Sequence, residues 1–246
     1  MKAPRCMPMP PEKGFSLSPD EVHIWISPLD YPEQRLSDFA STLDGNEHAR
    51  AHRFYFERDR RRFVAARGIL RTLLGRYLGE CPDGIQFSYG ARGKPTVAGP
   101  DRLRNVRFNL SHSNGYALFA FTVDREIGVD LERIRPLPEA SGIVSRYFSP
   151  HESALFHTIP MNGRLDAFFK YWTCKEAFLK AKGDGLSYPL DQVEVELAPG
   201  GGAGLLRIDR DPREASRWSL RDFVPIPGYA GAIAVEGHDW SLVWPS

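Results

Sequence analysis

The chain of 246 residues is long enough to bury a sizeable core, and its 42% hydrophobic and 12% aromatic content is that of an ordinary globular protein. Its 32 Lys and Arg residues against 31 Asp and Glu residues leave a net charge of +1, which excludes a global field drawing the surface to nucleic acid or membrane. The three cysteines are widely spaced without a CxxC pair, so they predict neither a zinc site nor a secreted disulfide framework.

The amino-terminal segment 1–16 is rich in proline and lacks the apolar run of a signal peptide, so we expect a disordered lead-in. No stretch approaches the roughly 20 apolar residues of a membrane-spanning helix. These features predict a soluble, cytoplasmic protein without a membrane partner.

The predicted elements of the first half begin with a strand at 20–27, in which Val and Ile alternate with other residues. Asp44 and Glu47 have the spacing of a capping box, which begins a short helix. Segment 58–79 has the apolar periodicity of a long amphipathic helix that ends at Gly79. Further strands are predicted at 85–88, 107–113, 116–123 and 126–132.

The second half repeats this plan. "FSPHE" supplies Ser149 as a helix N-cap and Glu152 as its capping-box partner, with a proline at the first helical position. A long helix over about 165–182 is followed by a strand and a glycine-rich turn at 200–204. The carboxy-terminal "GYAGAIAVEG" is similar in spacing and character to "GYALFAFTVD" of the first half.

A duplicated unit explains this repetition economically. We therefore predict an α+β fold of two similar lobes related by pseudo-twofold duplication, each a long helix packed on a small, mainly antiparallel sheet. The amino-terminal lobe would span 17–125 and the carboxy-terminal lobe 126–246. A cleft between the lobes is the expected place for a ligand.

Two carboxylates, Asp130 and Glu132, stand two residues apart in a predicted strand and therefore project from the same face. Like charges this close repel unless a cation lies between them. Glu176 on the long helix could complete an all-oxygen set suited to Mg²⁺. The alternative is a solvated edge-strand pair neutralised by Arg133 and Arg135, and the spacing alone favours that simpler interpretation.

Glu176 and Lys180 are four residues apart, so they share one face of the long helix with Trp172 one turn earlier. On the helix alone, an exposed ion pair worth a few tenths of a kcal/mol is the simpler interpretation. Ser111 and His112 end a strand and could donate hydrogen bonds to a phosphate, although a lone histidine is more often structural. No GxSxG context marks a hydrolase nucleophile.

Six arginines cluster before and within the start of the first long helix, where their charge opposes the helix dipole. Such a cluster is either a solvated helix start or a site for an anion, which could be nucleic acid or a small polyphosphate. Lys94 beside Pro95 adds a cation and a flat apolar edge against which a base could pack. The arginines are Arg50, Arg53, Arg58, Arg60, Arg61 and Arg62.

These segments occur in one order: "GKP", "FNLSHS", "IGVDLE", "FSPHE" and "WTCKEAFLKAKGDGL". In order and spacing the series resembles the Sfp-type 4′-phosphopantetheinyl transferases over roughly residues 50–190, and the last two motifs together are highly specific. The chain length and the predicted duplication agree with this family. The resemblance implies transfer of the phosphopantetheine arm of coenzyme A to a serine of an acyl or peptidyl carrier protein, with release of adenosine 3′,5′-bisphosphate.

By this resemblance, Asp130, Glu132 and Glu176 would bind Mg²⁺, or Mn²⁺ in its place. Glu176 would also be the general base for the carrier serine, directly or through a metal-bound water, and Lys180 would hold the pyrophosphate. The residues that would contact coenzyme A are Ser111 and His112 at its phosphates, Lys94 and Pro95 beside the adenine and 3′-phosphate, and Arg62 and Arg50 at the 3′-phosphate.

The family's carrier is a small acidic helical protein, which would dock near residues 133–150 and 183–190. We expect a monomer, because two fused lobes already form the cleft. The sequence departs from the family pattern where "ARG" separates Tyr89-Gly90 from Lys94, in the segment expected to contact the adenine. Phe63 stands where some members have a hydroxyl residue, so we expect one phosphate contact fewer. Leu131 cannot bind metal and leaves that position to water.

Two other functions are compatible with parts of the sequence. A nucleic-acid-binding protein would use the basic face from Arg50 to Arg76, but no RRM, KH or zinc pattern supports it, and we expect no nucleic-acid partner. A catalytically silent relative that binds coenzyme A would not need the three carboxylates.

Overall fold

The computed structural model describes residues 15–100, 105–183, 188–198, 202–208 and 213–245. Residues 1–14 of the predicted lead-in and residues 200 and 201 of the predicted glycine turn lie outside this part of the chain. Phe15, which the sequence assigned to the lead-in, packs its ring against Trp25 and Tyr77.

The described residues form six α-helices and eleven β-strands, in an order that repeats between the two halves of the chain. The helices are α1 (Glu33–Ala40), α2 (Gly45–Ala51), α3 (Glu57–Leu78), α4 (Ala140–Tyr147), α5 (Pro150–Thr158) and α6 (Met161–Lys182). The strands are β1 (Glu21–Pro28), β2 (Gln86–Tyr89), β3 (Pro95–Ala98), β4 (Val106–Ser113), β5 (Tyr116–Val123), β6 (Ile127–Arg133), β7 (Val193–Leu197), β8 (Ala203–Ile208), β9 (Trp218–Phe223), β10 (Tyr229–Glu236) and β11 (Ser241–Val243).

The two main sheets have matching order. One runs β11-β1-β5-β4 and the other β6-β10-β9, and the pairs β1–β5, β5–β4, β6–β10 and β10–β9 are all antiparallel. Each lobe also has a small hairpin after its long helix, β2–β3 in the first and β7–β8 in the second. The α+β class and the doubled helix-and-sheet plan predicted from the sequence are therefore confirmed. The short β11 pairs in parallel with β1 and so joins the sheet of the amino-terminal lobe.

The long helices end in the same way, because Gly79 after α3 and Gly183 after α6 adopt left-handed conformations with φ of 67° and 73°. A residue without a Cβ adopts this conformation at little cost and closes the last helical turn. No helix in the described residues is long and apolar enough to span a membrane.

Both predicted capping boxes form, and their glutamates have a second role. Glu47 caps α2 and also accepts ion pairs from Arg67 and Arg71 of α3. Glu152 caps α5 and lies 2.7 Å from Lys175 of α6, with both side chains fully buried. In each lobe, a buried capping glutamate thus ties a short helix to the long one. Removing either partner would leave an uncompensated charge in the core.

Each lobe has its own apolar core, and a third apolar cluster joins the lobes. In the third cluster, Ile24 and Leu118 of the first sheet pack with Val129 and Ile233 of the second. These side chains are at most 1% exposed. The junction is therefore as well packed as either lobe, which makes the two lobes one structural unit.

Helix α6 approaches β6 closely at Gly128. A Cβ added there would overlap the Ala177 carbonyl oxygen and the Ala181 amide nitrogen of α6. We expect Gly128→Ala to lower the free energy of unfolding by about 2 kcal/mol or more, because helix backbone cannot move aside as a flexible side chain could. Chemical denaturation monitored by circular dichroism measures this change.

Gly45→Ala is the matched control, because a Cβ at Gly45 meets nothing within 4 Å and alanine favours the helix. Equal stability of the Gly128→Ala and Gly45→Ala proteins would contradict the close helix–strand contact.

Candidate active site

Asp130, Glu132 and Glu176 line one wall of a cavity of about 360 Å³ at the lobe junction. The first two project from β6 on one face, as predicted, while Val129 and Leu131 on the opposite face are fully buried in the interlobe cluster. Glu176 reaches the cavity from α6, which packs across β6. The structure thus brings the three predicted carboxylates together.

Lys180 and Ser111 complete the polar floor of this cavity. Lys180 Nζ donates to Asp130 Oδ1 at 2.6 Å and to Ser111 Oγ at 3.0 Å. Ser111 in turn donates to the same oxygen of Asp130 at 2.8 Å. The lysine is therefore paired with a carboxylate on β6 rather than with Glu176 on its own helix.

Both simpler interpretations of these residues are wrong. Asp130 is 3% exposed, so it does not belong to a solvated edge-strand pair, and the Arg135 guanidinium only approaches Glu132, at 3.8 Å. Glu176 and Lys180 do not form an exposed helix pair, because both line the cavity and Lys180 is bonded to Asp130. Strand β6 does lie at an edge of its sheet in the described part of the chain, but β4 covers that edge.

Negative charge in the cavity is not fully compensated. Asp130 Oδ2 and Glu176 Oε1 are buried and accept no hydrogen bond from the described residues. Burial, and then the charge of Asp130, raise the pKa of Glu176 to about 7. Burial and Asp130 also raise the pKa of Glu132, against a hydrogen bond from Ser113 that lowers it. A bound cation would relieve this excess of negative charge.

The donor set fits a hard divalent cation such as Mg²⁺, because all three side chains offer carboxylate oxygens and two of those oxygens are unpartnered. Among the described residues, no three His, Cys, Asp or Glu side chains are already arranged to hold a metal ion. Lys180 occupies Asp130 Oδ1 in this arrangement, so metal binding would use other carboxylate oxygens or displace the ammonium.

His112 lies between this cavity and a second one of about 290 Å³, which it lines together with Arg62, Phe63 and Phe54. Burial, and then the nearby Lys180 ammonium, lower the pKa of His112, which favours a neutral imidazole at pH 7. The predicted phosphate contacts Ser111 and His112 therefore face the carboxylate cavity, and Arg62 faces the adjoining one.

The two arginines predicted to bind the 3′-phosphate differ in their contacts within the protein. Arg62 forms a two-pronged ion pair with Asp30, both bonds being 2.7 Å. Arg50 is exposed and its guanidinium lies 5.4 Å from the centre of the Phe63 ring, at the rim of the second cavity. Thus Arg62 is held in place by a carboxylate, whereas Arg50 remains open to solvent.

Lys94 and Pro95 lie apart from both cavities, in a small separate recess. Lys94 Nζ donates to Glu126 at 2.7 Å and to the Ala181 carbonyl at the end of α6 at 2.6 Å. A cation at a helix carboxyl terminus is favourable. In this structure, the ammonium of Lys94 therefore bridges the lobes and is not presented to either cavity.

Sequence reasoning missed two residues of β4 that reach β6. Asn109 Oδ1 accepts from the Val129 amide at 3.0 Å, and Ser113 Oγ donates to Glu132 at 2.9 Å and accepts from the Arg133 amide at 3.1 Å. The available signal was the alternation in "FNLSHS", which places 109, 111 and 113 on one face of a strand.

Both halves of the chain are similar to 4′-phosphopantetheinyl transferases. Residues 126–234 match the model of the 4′-phosphopantetheinyl transferase superfamily, and residues 31–123 match the model described as 4′-phosphopantetheinyl transferase, N-terminal. The 4′-phosphopantetheinyl transferase HetI of Nostoc sp. is 44% identical over 95% of this chain and 94% of that protein. The 4′-phosphopantetheinyl transferase Sfp of Bacillus subtilis is 29% identical over 82% of this chain and 86% of that protein.

Among solved structures, holo-[acyl-carrier-protein] synthase from Thermotoga maritima is similar over 46% of this chain and 62% of that chain, with 24% identity and a TM-score of 0.38. The two family models together extend over both lobes, and the relative from Nostoc covers nearly the whole length. The chain is therefore an enzyme of the 4′-phosphopantetheinyl transferase family and belongs to its Sfp type.

Proposed function

We propose that this transferase moves the 4′-phosphopantetheine group of coenzyme A to a serine of an acyl or peptidyl carrier protein, in a reaction that depends on Mg²⁺ and releases adenosine 3′,5′-bisphosphate. The observation that carries the proposal is one cavity in which three carboxylates, two of them with buried unpartnered oxygens, face Lys180 and His112. This set combines acceptors for a cation with donors for a phosphate.

In the proposed reaction, the serine hydroxyl of the carrier attacks the phosphorus next to the pantetheine, and the bond from that phosphorus to the bridging pyrophosphate oxygen breaks. Glu176 accepts the hydroxyl proton, because it lines the cavity beside Lys180 and its Oε1 accepts no hydrogen bond from the described residues. Lys180 donates to a phosphate oxygen and offsets the charge that develops on the leaving group.

Asp130, Glu132 and Glu176 would hold the Mg²⁺. A metal ion bound there supplies positive charge that polarises a phosphoryl oxygen and orients the pyrophosphate. Mn²⁺ has the same preference for oxygen ligands and is the proposed substitute.

The adjoining cavity is the proposed place for the 3′-phosphate, because Arg62 lines it and Arg50 stands at its rim. The neutral His112 between the two cavities can donate one hydrogen bond to a phosphate. Contact of Lys94 and Pro95 with the adenine stays a prediction, and for Lys94 it requires the ammonium to leave Glu126 and the end of α6.

A groove of about 630 Å³ beside Trp172 is the proposed place for the carrier. Trp172 lines both this groove and the carboxylate cavity, so a protein docked there would reach the phosphates. Ile143, Arg146 and Tyr147 of α4 line the groove, within the segment 133–150 expected from the sequence. Arg146 suits an acidic partner. We propose that the enzyme acts as a monomer, because one chain supplies the cavity and the groove.

Replacing the proposed base tests the chemistry. We expect Glu176→Gln to lower the rate of carrier modification by about 10²–10⁴-fold, because the amide cannot take the serine proton. Intact-protein mass spectrometry of an apo carrier incubated with coenzyme A and Mg²⁺ measures the gain of one phosphopantetheinyl group. Glu33→Gln is the control, since Glu33 is exposed, pairs with Arg61 and is not among the residues that line the cavity. A Glu176→Gln enzyme as fast as the unmodified one would refute the assignment.

Glu176→Gln, which should lower activity, should raise the stability of the folded protein in metal-free buffer. The folded state raises the pKa of Glu176 from its ordinary 4.5 to about 7, so the folded protein binds this proton more tightly than the unfolded chain does. The associated stability is therefore present below pH 4.5 and is lost as the pH rises through 7.

We therefore expect Glu176→Gln to unfold at a higher temperature than the unmodified protein at pH 8 with a chelator present, and the difference to shrink toward pH 4.5. Scanning calorimetry across this pH range measures it. A variant that is less stable than the unmodified protein at pH 8 would show that the buried carboxylate is already compensated.

Removing a proposed nucleotide cation tests the second cavity. We expect Arg62→Met to raise the KM for coenzyme A by about tenfold or more and to change the KM for 3′-dephospho-coenzyme A little, because a charged hydrogen bond is lost only with the 3′-phosphate. Arg61→Met is the matched control, as Arg61 pairs with Glu33 instead. Equal changes for both nucleotides would place the 3′-phosphate elsewhere.

A further inference from the structure

Strand β6, which bears two of the carboxylates, is held differently on its two edges. On one edge it pairs by backbone with β10 through seven consecutive residues, from Ile127 to Arg133. On the other edge, where β4 lies, β6 forms hydrogen bonds with three side chains of β4: Ser111 and Ser113 donate to its carboxylates, and Asn109 accepts from its backbone. The three residues alternate along β4 and so share one face.

These three side chains meet β6 at regular intervals. Asn109 binds the Val129 amide, Ser111 binds the Asp130 carboxylate, and Ser113 binds both the Glu132 carboxylate and the Arg133 amide. They act as a polar ladder, defined by residues 109, 111 and 113, between the two lobes. The polar ladder contacts side chains of β6 as well as its backbone, because the hydroxyls of Ser111 and Ser113 donate to the carboxylates of the cavity.

Ser113 occupies a special position in the polar ladder. Its single hydroxyl donates to Glu132 Oε2 at 2.9 Å and accepts from the next amide of the same strand, Arg133 N, at 3.1 Å. The carboxylate is thereby tied to the backbone one residue beyond it. The Arg135 guanidinium lies 3.8 Å from the same carboxylate oxygen on an exposed side chain and imposes little constraint.

We propose that Ser113 is a positioning residue that fixes the carboxylate of Glu132 for a divalent cation. The inference rests on the proposed function, because it takes Glu132 as a ligand of the Mg²⁺ site. Ser113 does not line the carboxylate cavity and acts only through Glu132. A hydroxyl that holds one carboxylate oxygen leaves the other to the cation and restricts the torsions of a long side chain.

Loss of this contact should cost metal affinity more than stability. The Arg133 amide that loses its acceptor is at an exposed position and can bind water instead. Freed from Ser113, Glu132 can adopt rotamers that point away from the cavity. Removal of a hydrogen-bond partner from a metal ligand typically costs about 10–100-fold in affinity.

The experiment compares Ser113→Ala with Ser113→Thr in the full chain, using Mg²⁺ alone as the probe in isothermal titration calorimetry. We expect the alanine variant to bind Mg²⁺ about tenfold or more weakly, and the threonine variant, which retains a hydroxyl on a strand-favouring side chain, to bind within about threefold of the unmodified protein. The thermal midpoints of the metal-free proteins should stay close, since a purely structural role would separate them.

A double-substitution cycle shows whether Ser113 acts through Glu132. On a Glu132→Gln background, Ser113→Ala should have little further effect on the Mg²⁺ dissociation constant. In activity assays, Ser113→Ala should raise the Mg²⁺ concentration for half-maximal rate while kcat at saturating Mg²⁺ changes little. Ser88→Ala, which removes a hydroxyl from the distant β2–β3 hairpin, is the control for loss of a serine.

The outcomes separate this proposal from the function on which it rests. If the unmodified protein binds Mg²⁺ and Ser113→Ala binds it equally well, the positioning role is overturned and the metal site stands. If equal losses appear in the alanine and threonine variants, packing and not the hydroxyl is responsible, and the role is again overturned. If the unmodified protein binds no Mg²⁺, the proposed metal dependence fails together with this inference.

Discussion

The site depends on how strand β6 is fixed between the two lobes. Its apolar face packs into the interlobe cluster, one edge pairs with β10, and side chains of β4 hold the other edge. Asp130 and Glu132 project from the remaining face toward α6. Because β6 is constrained on every side, the two carboxylates have defined positions despite their mutual repulsion. A freely solvated strand would let them separate.

The long helix α6 is also held by contacts with several neighbouring elements. Gly128 lets it lie directly on β6, and the buried pair of Lys175 and Glu152 anchors its middle. Lys175 also donates to the Leu190 carbonyl before β7 and to the Val193 carbonyl at its first residue, so that one ammonium joins α5, α6 and β7. These contacts set the height and rotation of the helix, and therefore the reach of Glu176 and Lys180. Rigid elements of this kind hold a catalytic group more reproducibly than loops do.

The amino-terminal lobe has the same frame without the same chemistry. Its capping Glu47 pairs with two arginines of α3, which corresponds to the pairing of Glu152 with Lys175 in the second lobe. On this duplicated frame, the amino-terminal lobe carries His112 and Arg62, the proposed phosphate contacts, and the carboxy-terminal lobe carries the three carboxylates. The unpartnered oxygens of Asp130 and Glu176 lie in the cavity where the lobes meet.

Local chemistry in the sequence predicted four of the six described helices and several of the strands, but not α1 and α4, which are short helices without a side-chain cap. Capping boxes at Asp44 and Ser149, glycines after both long helices and the alternation around Asp130 depend on neighbours within a few residues, and the structure agrees with each. The order of the motifs also indicated the family, because the motifs include residues from both sides of the cavity. The common face of Asp130 and Glu132 followed from strand geometry alone.

Tertiary structure decided the partners. The i, i+4 spacing pointed to a Glu176–Lys180 pair, but β6 brings Asp130 to within 2.6 Å of Lys180 instead. Likewise, "GKP" indicated a nucleotide contact for Lys94, whose ammonium meets the end of α6. Ser113 gained its role only when β4 was set beside β6. Spacing along the chain determines which side chains share one face of a helix or strand. The packing of segments distant in sequence determines which groups lie opposite that face. At this site, that packing determines the ion pairs and hydrogen bonds of the carboxylates.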